Sequence, residues 1–106
     1  MKVFKEIKKS VRQQLPDILA LRGSVNKKSD GSYVTQGDLL VDKIVHESIR
    51  QHNQLAIIVS EEQRQEELDH DAINSGDIYV VDPIDGTENF TSGLPEWGIS
   101  VSHYSK

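Results

Sequence analysis

The sequence predicts a layered α/β (α+β) domain, and three observations predict it. The first half carries two stretches with helical periodicity, the second half carries short runs of branched apolar residues, and the two kinds follow one another in mixed order. At 106 residues the chain fits one small domain, 1–106, with no internal repeat, low-complexity tract or interdomain linker.

From Lys2 to about Leu21, apolar residues at Val3, Phe4, Ile7, Val11, Leu15, Ile18 and Leu19 fall mostly three or four apart, with charged and amide side chains between them. That spacing predicts an amphipathic helix. Pro16 lacks the amide proton that a helix interior uses, so it is expected to kink or divide this helix. RGSVNKKSDGSYVT gathers Gly, Asn, Ser and Asp-Gly, the composition of a loop or a short hairpin turning at Asp30-Gly31. Thr35 with Asp38 three residues on forms a capping-box variant for a second helix. Leu40, Val41, Ile44, Val45 and Ile49 supply its buried face, and it ends near Asn53. LAIIV, Leu55 to Val59, suits a strand buried on both faces. SEEQRQEELDHDAINSG is polar throughout, a solvated helical turn followed by a loop that Asn74-Ser75-Gly76 closes. DIYVVD and WGISVSHY complete the strands.

Composition limits the function. Hydrophobic residues make up 36% and charged residues 27%, which suits a folded unit, and the net charge of −5 argues against a general nucleic-acid surface. The absence of cysteine excludes disulfides and thiolate metal sites and agrees with a reducing cytosol. The chain opens without a signal-peptide core, and its longest apolar run is too short to span a bilayer. The expectation is a cytoplasmic protein with no membrane partner.

The chemistry concentrates at VVDPIDGTENF, Val80 to Phe90. If LAIIV and DIYVV run side by side in the same direction, Asp82 and the Ser60-Glu61-Glu62 stretch meet at one sheet edge, a common place for sites. Pro83 is expected to stop the ladder, so that Asp85 turns back toward Asp82 while Gly86 admits close backbone approach. Glu61, Asp82 and Asp85 in one small volume repel one another unless protons or cations intervene. Magnesium suits them, because carboxylates, the Ile84 carbonyl and water are hard oxygen donors. Gly86-Thr87 open a short helix whose first amides, with the Thr87 hydroxyl, would hold a phosphate oxygen. Metal on one side and amides on the other point to metal-assisted hydrolysis of a phosphate monoester.

These residues carry a resemblance. DPIDGT at Asp82, Pro83, Ile84, Asp85, Gly86 and Thr87, the upstream SEE, and KKSDGSYVTQGD together resemble the motifs of the inositol monophosphatase family, in order and spacing across nearly the whole chain. The resemblance implies a magnesium-dependent, lithium-sensitive phosphatase, and for this chain the amino-terminal half of a sugar-phosphatase-like αβαβα fold. It also implies residue roles. Glu61, Asp82, Asp85 and the Ile84 carbonyl would hold metal, and Asp85, Gly86 and Thr87 would meet the substrate phosphate. Thr87 and Asp38 would orient the attacking water, with Glu61 sharing a metal with it, and Lys27 or Lys28 would lie in a loop near the site. Substrates across the wider superfamily are inositol phosphates, sugar phosphates such as fructose bisphosphate, and 3′-phosphonucleotides. Glu88 departs from the pattern by adding negative charge beside the phosphate site. The family's later Trp-Asp-x-Ala-Gly motif is not in this sequence, so the chain is expected to be weakly active or inactive by itself.

Other readings stand beside this one. The turn residues alone could make DPIDGT a capped strand end, and Asp38 could serve only as a helix cap. A haloacid-dehalogenase-like phosphatase also places paired aspartates after a strand, but Pro83 sets the pair one residue too far apart. A chain that binds metal weakly or pairs with another subunit, leaving room for a homodimer, is the non-catalytic alternative. His46, His52, His70 and His103 show no ligand spacing, Glu62 belongs to a solvated run, and Trp97 suits packing.

Overall fold

The structure, a computed structural model, describes residues 2–60 and 76–105. Among these lie three helices and five strands. Helix α1 (Lys2–Ala20) leads into a hairpin of β1 (Val25–Lys27) and β2 (Tyr33–Thr35), followed by α2 (Gln36–His52) and β3 (Ile57–Ser60). Then come β4 (Ile78–Asp85), the five-residue α3 (Thr87–Thr91) and β5 (Gly98–Tyr104). Among the described residues β3, β4 and β5 form one mixed sheet in that order, β3 parallel to β4 and β4 antiparallel to β5.

The helices cover one face of this sheet. Val3, Ile7 and Ile18 of α1 and Val41, Ile44, Val45 and Ile49 of α2 are buried together with Tyr79, Val81 and Ile84 of β4 and Phe90 of α3. α1 packs on α2, and α2 packs on β4. Pro16 does not divide α1, which runs unbroken to Ala20. The reason lies just beyond it: Ile18 is wholly buried, and that contact holds the last turn in place despite the missing amide.

The hairpin turns where the sequence predicts. Asp30 accepts from the Ser32 amide at 2.9 Å, and Gly31 takes the left-handed conformation at φ 90° that a Cβ would disfavour. Lys28 N–H donates to the Ser32 carbonyl at 2.7 Å to close the loop. At the base of β2, Thr35 caps α2. Its hydroxyl accepts from the Asp38 amide at 3.1 Å, and the Asp38 carboxylate accepts the Thr35 amide at 2.9 Å. The helix ends at Asn53, whose amide donates to Ile49.

Two strand expectations need correction. The run from Leu55 to Val59 is not a strand buried on both faces: pairing begins at Ile57 and reaches Ser60, its residues are mostly half-buried, and Leu55 is 87% exposed. Among the described residues β3 has β4 as its one neighbour, so its outer edge lacks the second partner that a central parallel strand has. Nor does Pro83 stop the ladder. β4 runs on to Asp85, and the pairing passes from Asp82↔Ser100 to Asp85↔Gly98, three residues on one strand against two on the other. Such a bulge is where a strand tolerates proline, because the extra residue does not need its amide for the ladder. The polar stretch from Glu61 through Ser75, expected as a helical turn and loop, lies outside the described residues.

Candidate active site

The parallel register sets the ends of two strands side by side. Ile57 pairs with Ile78 and Ser60 with Val81, so Asp82 follows directly at the carboxyl end of the sheet. Beyond the bulge, Gly86 adopts φ 86° and ψ 44° as the N-cap of α3, and this left-handed turn redirects the chain. A Cβ there would lie 2.9 Å from the Glu96 carbonyl oxygen, so the position needs glycine for space as well as for conformation. Phe90, wholly buried, anchors α3 from below, meeting Trp97 edge to face at 5.0 Å with the Arg22 guanidinium 5.3 Å from its centroid. Trp97 is thus a packing residue.

Above this anchor lies a cavity of about 390 Å³. Asp82, Ile84, Asp85, Gly86 and Thr87 line it, as do Glu88 and Asn89, and the hairpin contributes Lys28, Ser32 and Tyr33. Of the two candidate lysines, it is Lys28 that reaches the cavity, while Lys27 lies on an exposed strand. Ser32, Tyr33 and Asn89 lie within the segments that sequence reasoning picked out but were given no role of their own; they line the cavity together with the residues after β4.

Asp38 is fully buried behind the cavity wall. Thr87 Oγ donates within reach of Asp38 Oδ1 at 3.2 Å and of the Ile84 carbonyl at 3.1 Å, bridging residues 49 positions apart. The other Asp38 oxygen accepts both the Thr35 amide and the Thr35 hydroxyl, the latter at 2.5 Å. Asp38 is therefore a helix cap and a partner of the site at once. Four residues on, Asp42 accepts the Ser60 hydroxyl at 2.5 Å, and His46 Nδ1 lies 2.8 Å from the Asp42 carbonyl. The Asp42 carboxylate raises the His46 pKa above its ordinary value, against desolvation, which lowers it. At the other end of the sheet Asp77 is held below the usual carboxylate range by His103 and then by Asn53. His46 and His103 thus serve as local hydrogen-bond partners.

The donor set suits a hard cation: Asp82 and Asp85 share one cavity with Ile84, whose carbonyl keeps a second lone pair beside its Thr87 bond. Among the described residues no group of three or more His, Cys, Asp or Glu side chains could hold a metal. The third expected carboxylate, Glu61, lies outside them, as do Glu62 and His70. Among the described residues, too, no helix is long and apolar enough to cross a membrane.

Comparison with known proteins extends this geometry. The chain is 32% identical over 78 residues to an inositol-1-monophosphatase of Rhizobium meliloti, covering 74% of this chain and 28% of that protein. It superposes on the extragenic suppressor protein SuhB of Bartonella henselae with a TM-score of 0.74 and 25% identity, covering 99% of this chain and 40% of that one. An IMPase/NADP phosphatase complexed with Mg2+ and phosphate gives a TM-score of 0.83 at 16% identity, over 98% of this chain and 38% of that one, and so shares the fold. The chain spans 26–28% of the length of the curated relatives it matches. The model of the inositol monophosphatase family matches residues 1–106 throughout, and the chain belongs to that family.

Proposed function

We propose that this chain forms the amino-terminal, metal-binding part of a magnesium-dependent phosphate monoester hydrolase, with weak or no turnover by itself. One observation carries the proposal: the Thr87 hydroxyl, on the wall of a cavity that also holds Asp82 and Asp85, is hydrogen-bonded to the buried Asp38. A hydroxyl that donates to a carboxylate turns its lone pairs outward. Thr87 Oγ then accepts a hydrogen bond from a water in the cavity and orients that water for attack, while Asp38 holds the hydroxyl in the donating orientation that leaves this lone pair free.

Asp82, Asp85, the Ile84 carbonyl and Glu61 would hold magnesium. When bound, the ion polarises the phosphoryl oxygens, lowers the pKa of water and stabilises the leaving alkoxide. The amides of Gly86 and Thr87 at the start of α3, with the Asp85 side bound to cation, would receive the phosphate oxygens. Lys28 adds positive charge on the hairpin side of the cavity. The Mg2+ and phosphate of the IMPase/NADP phosphatase structure, and the inositol-1-monophosphatase relative, support this assignment and a small phosphorylated substrate. Lithium sensitivity and a cytoplasmic location belong to the same proposal. Membership of the inositol monophosphatase family favours direct attack by water over the haloacid-dehalogenase-like route, which needs a phospho-aspartyl intermediate.

Weak turnover by these 106 residues alone is supported by the share of the solved relatives that they span. Solved relatives extend well beyond the 38–40% that this chain spans, and in this proposal the rest of that length supplies further groups that preorganise the transition state. The test is phosphate release from inositol 1-phosphate with and without magnesium, alongside Mn2+ binding as a stand-in for Mg2+. Expected are Mn2+ binding lost in Asp82→Asn and phosphate release near background. Robust magnesium-dependent release, abolished by Asp82→Asn, would overturn the weak-turnover clause; no binding of Mn2+ would overturn the metal assignment.

Subunit pairing is favoured by a separate observation. Val80 and Tyr104, 42% and 60% exposed, lie on the sheet face away from the helices. Sedimentation at rising concentration tests it, and a monomer throughout would remove this reading.

A further inference from the structure

Beyond Asp82 and Asp85, much of the cavity wall consists of hydrogen-bond acceptors. Glu88, exposed in the first turn of α3, lines the cavity, and its carboxylate makes no hydrogen bond or ion pair with any described residue. Ser32 Oγ gives its proton to Asp30 Oδ1 at 2.6 Å, so it meets a ligand through its lone pairs. Asn89 Nδ2 donates to the Glu96 carbonyl at 2.8 Å, and its Oδ1 remains to accept. Against these stand the Tyr33 hydroxyl, which can donate, and Lys28, the one basic side chain among the described lining residues. A hydroxyl group on a substrate has a proton to offer such a wall. A fully ionised phosphate has none, and Glu88 repels its charge as well. With a divalent cation on Asp82 and Asp85, the opposite charges of Glu88 and Lys28 leave no net positive charge to receive a second phosphate.

We propose that Glu88 is a specificity-determining residue of this cavity, turning away esters that carry a second phosphate and favouring those whose remaining groups are uncharged hydroxyls. The inference rests on the phosphate monoester reading above. The backbone of α3 holds Glu88 in place, its carbonyl accepting the Ser92 amide at 3.0 Å and Thr91 Oγ at 2.9 Å. Its exposed side chain can therefore be changed without disturbing that turn.

The test is calorimetric titration of the 106-residue chain with fructose 1-phosphate and with fructose 1,6-bisphosphate, at equal and saturating free Mg2+. The two ligands share one sugar and differ by one phosphate. Wild type is expected to bind the monophosphate about tenfold more tightly, the size of one partly screened charge contact. Glu88→Gln removes that preference and Glu88→Lys inverts it. Glu6→Gln, which changes net charge equally at an exposed position of α1 outside the cavity lining, keeps the wild-type preference. The proposal is overturned if wild type binds both ligands equally or if Glu88→Gln retains the full preference. An equal shift in Glu6→Gln overturns it too, because overall charge would then explain the selection. A wild-type chain that binds neither sugar phosphate overturns the monoester reading itself.

Discussion

Replacing Gly86 by alanine tests whether the turn into α3 is set by conformation, by space, or by both. The residue sits at φ 86°, where a side chain costs about 1–2 kcal/mol. Its new methyl would also lie 2.9 Å from the Glu96 carbonyl oxygen and 3.4 Å from Trp97 Cα. These are backbone atoms that cannot swing aside, and overpacking of this kind costs about 1–3 kcal/mol. Reduced freedom of the unfolded chain returns about 0.4–1 kcal/mol. The net expectation is a loss of about 2–4 kcal/mol, which for a chain of this size lowers the melting temperature by roughly 10–20 °C. Gly31 supplies the control, because it has φ 90° but nothing within 4 Å of a Cβ. Gly31→Ala should lose only the conformational part, about 1 kcal/mol. Thermal melts followed by circular dichroism at equal chain concentration compare the two. If Gly86→Ala and Gly31→Ala melt together, the close approach to Glu96 contributes nothing and the reasoning fails.

Asp38 and His46 provide further tests. Asp38→Ala removes a cap and leaves the buried Thr35 donors without their acceptor, an expected loss of about 2–4 kcal/mol of unfolding free energy from urea titration; a change under about 0.5 kcal/mol would contradict the capping geometry. For His46, the folded-state pKa lies above the ordinary 6.5, with the Asp42 hydrogen bond as the leading cause. Its stabilisation is therefore fully present below the unfolded pKa and is lost as pH rises through the folded value. Urea midpoints of wild type should fall across that window more steeply than those of His46→Gln, and parallel curves would refute the assignment.

Local chemistry made the hairpin turn and the α2 cap legible, because Asp30-Gly31 and Thr35-Asp38 act within three residues of each other. The DPIDGT segment was legible for the same reason, as a strand end carrying acids. Pro83 and Leu55 to Val59 were not. A proline in a strand reads as a stop unless the pairing of the opposite strand is known, and it is Gly98 to Ser100 that accommodates the bulge. Likewise an apolar run does not say how many neighbours its strand will have. Contacts across long sequence separations were beyond local reading altogether: no spacing rule links Thr87 to Asp38 or Ser60 to Asp42. Those bonds exist because α2 lies across the sheet, and only the assembled layers display it.

The extra residue in β4 has a consequence of parity. In an unbroken strand, side chains an odd number of positions apart point to opposite sides, so two acids separated by three would be divided between the helical side of the sheet and the other. With one residue unpaired, the odd interval counts as even, and Asp82 and Asp85 both border a single cavity. The length of this short stretch thus matters apart from its composition: losing one residue there would send one of the acids to the wrong side.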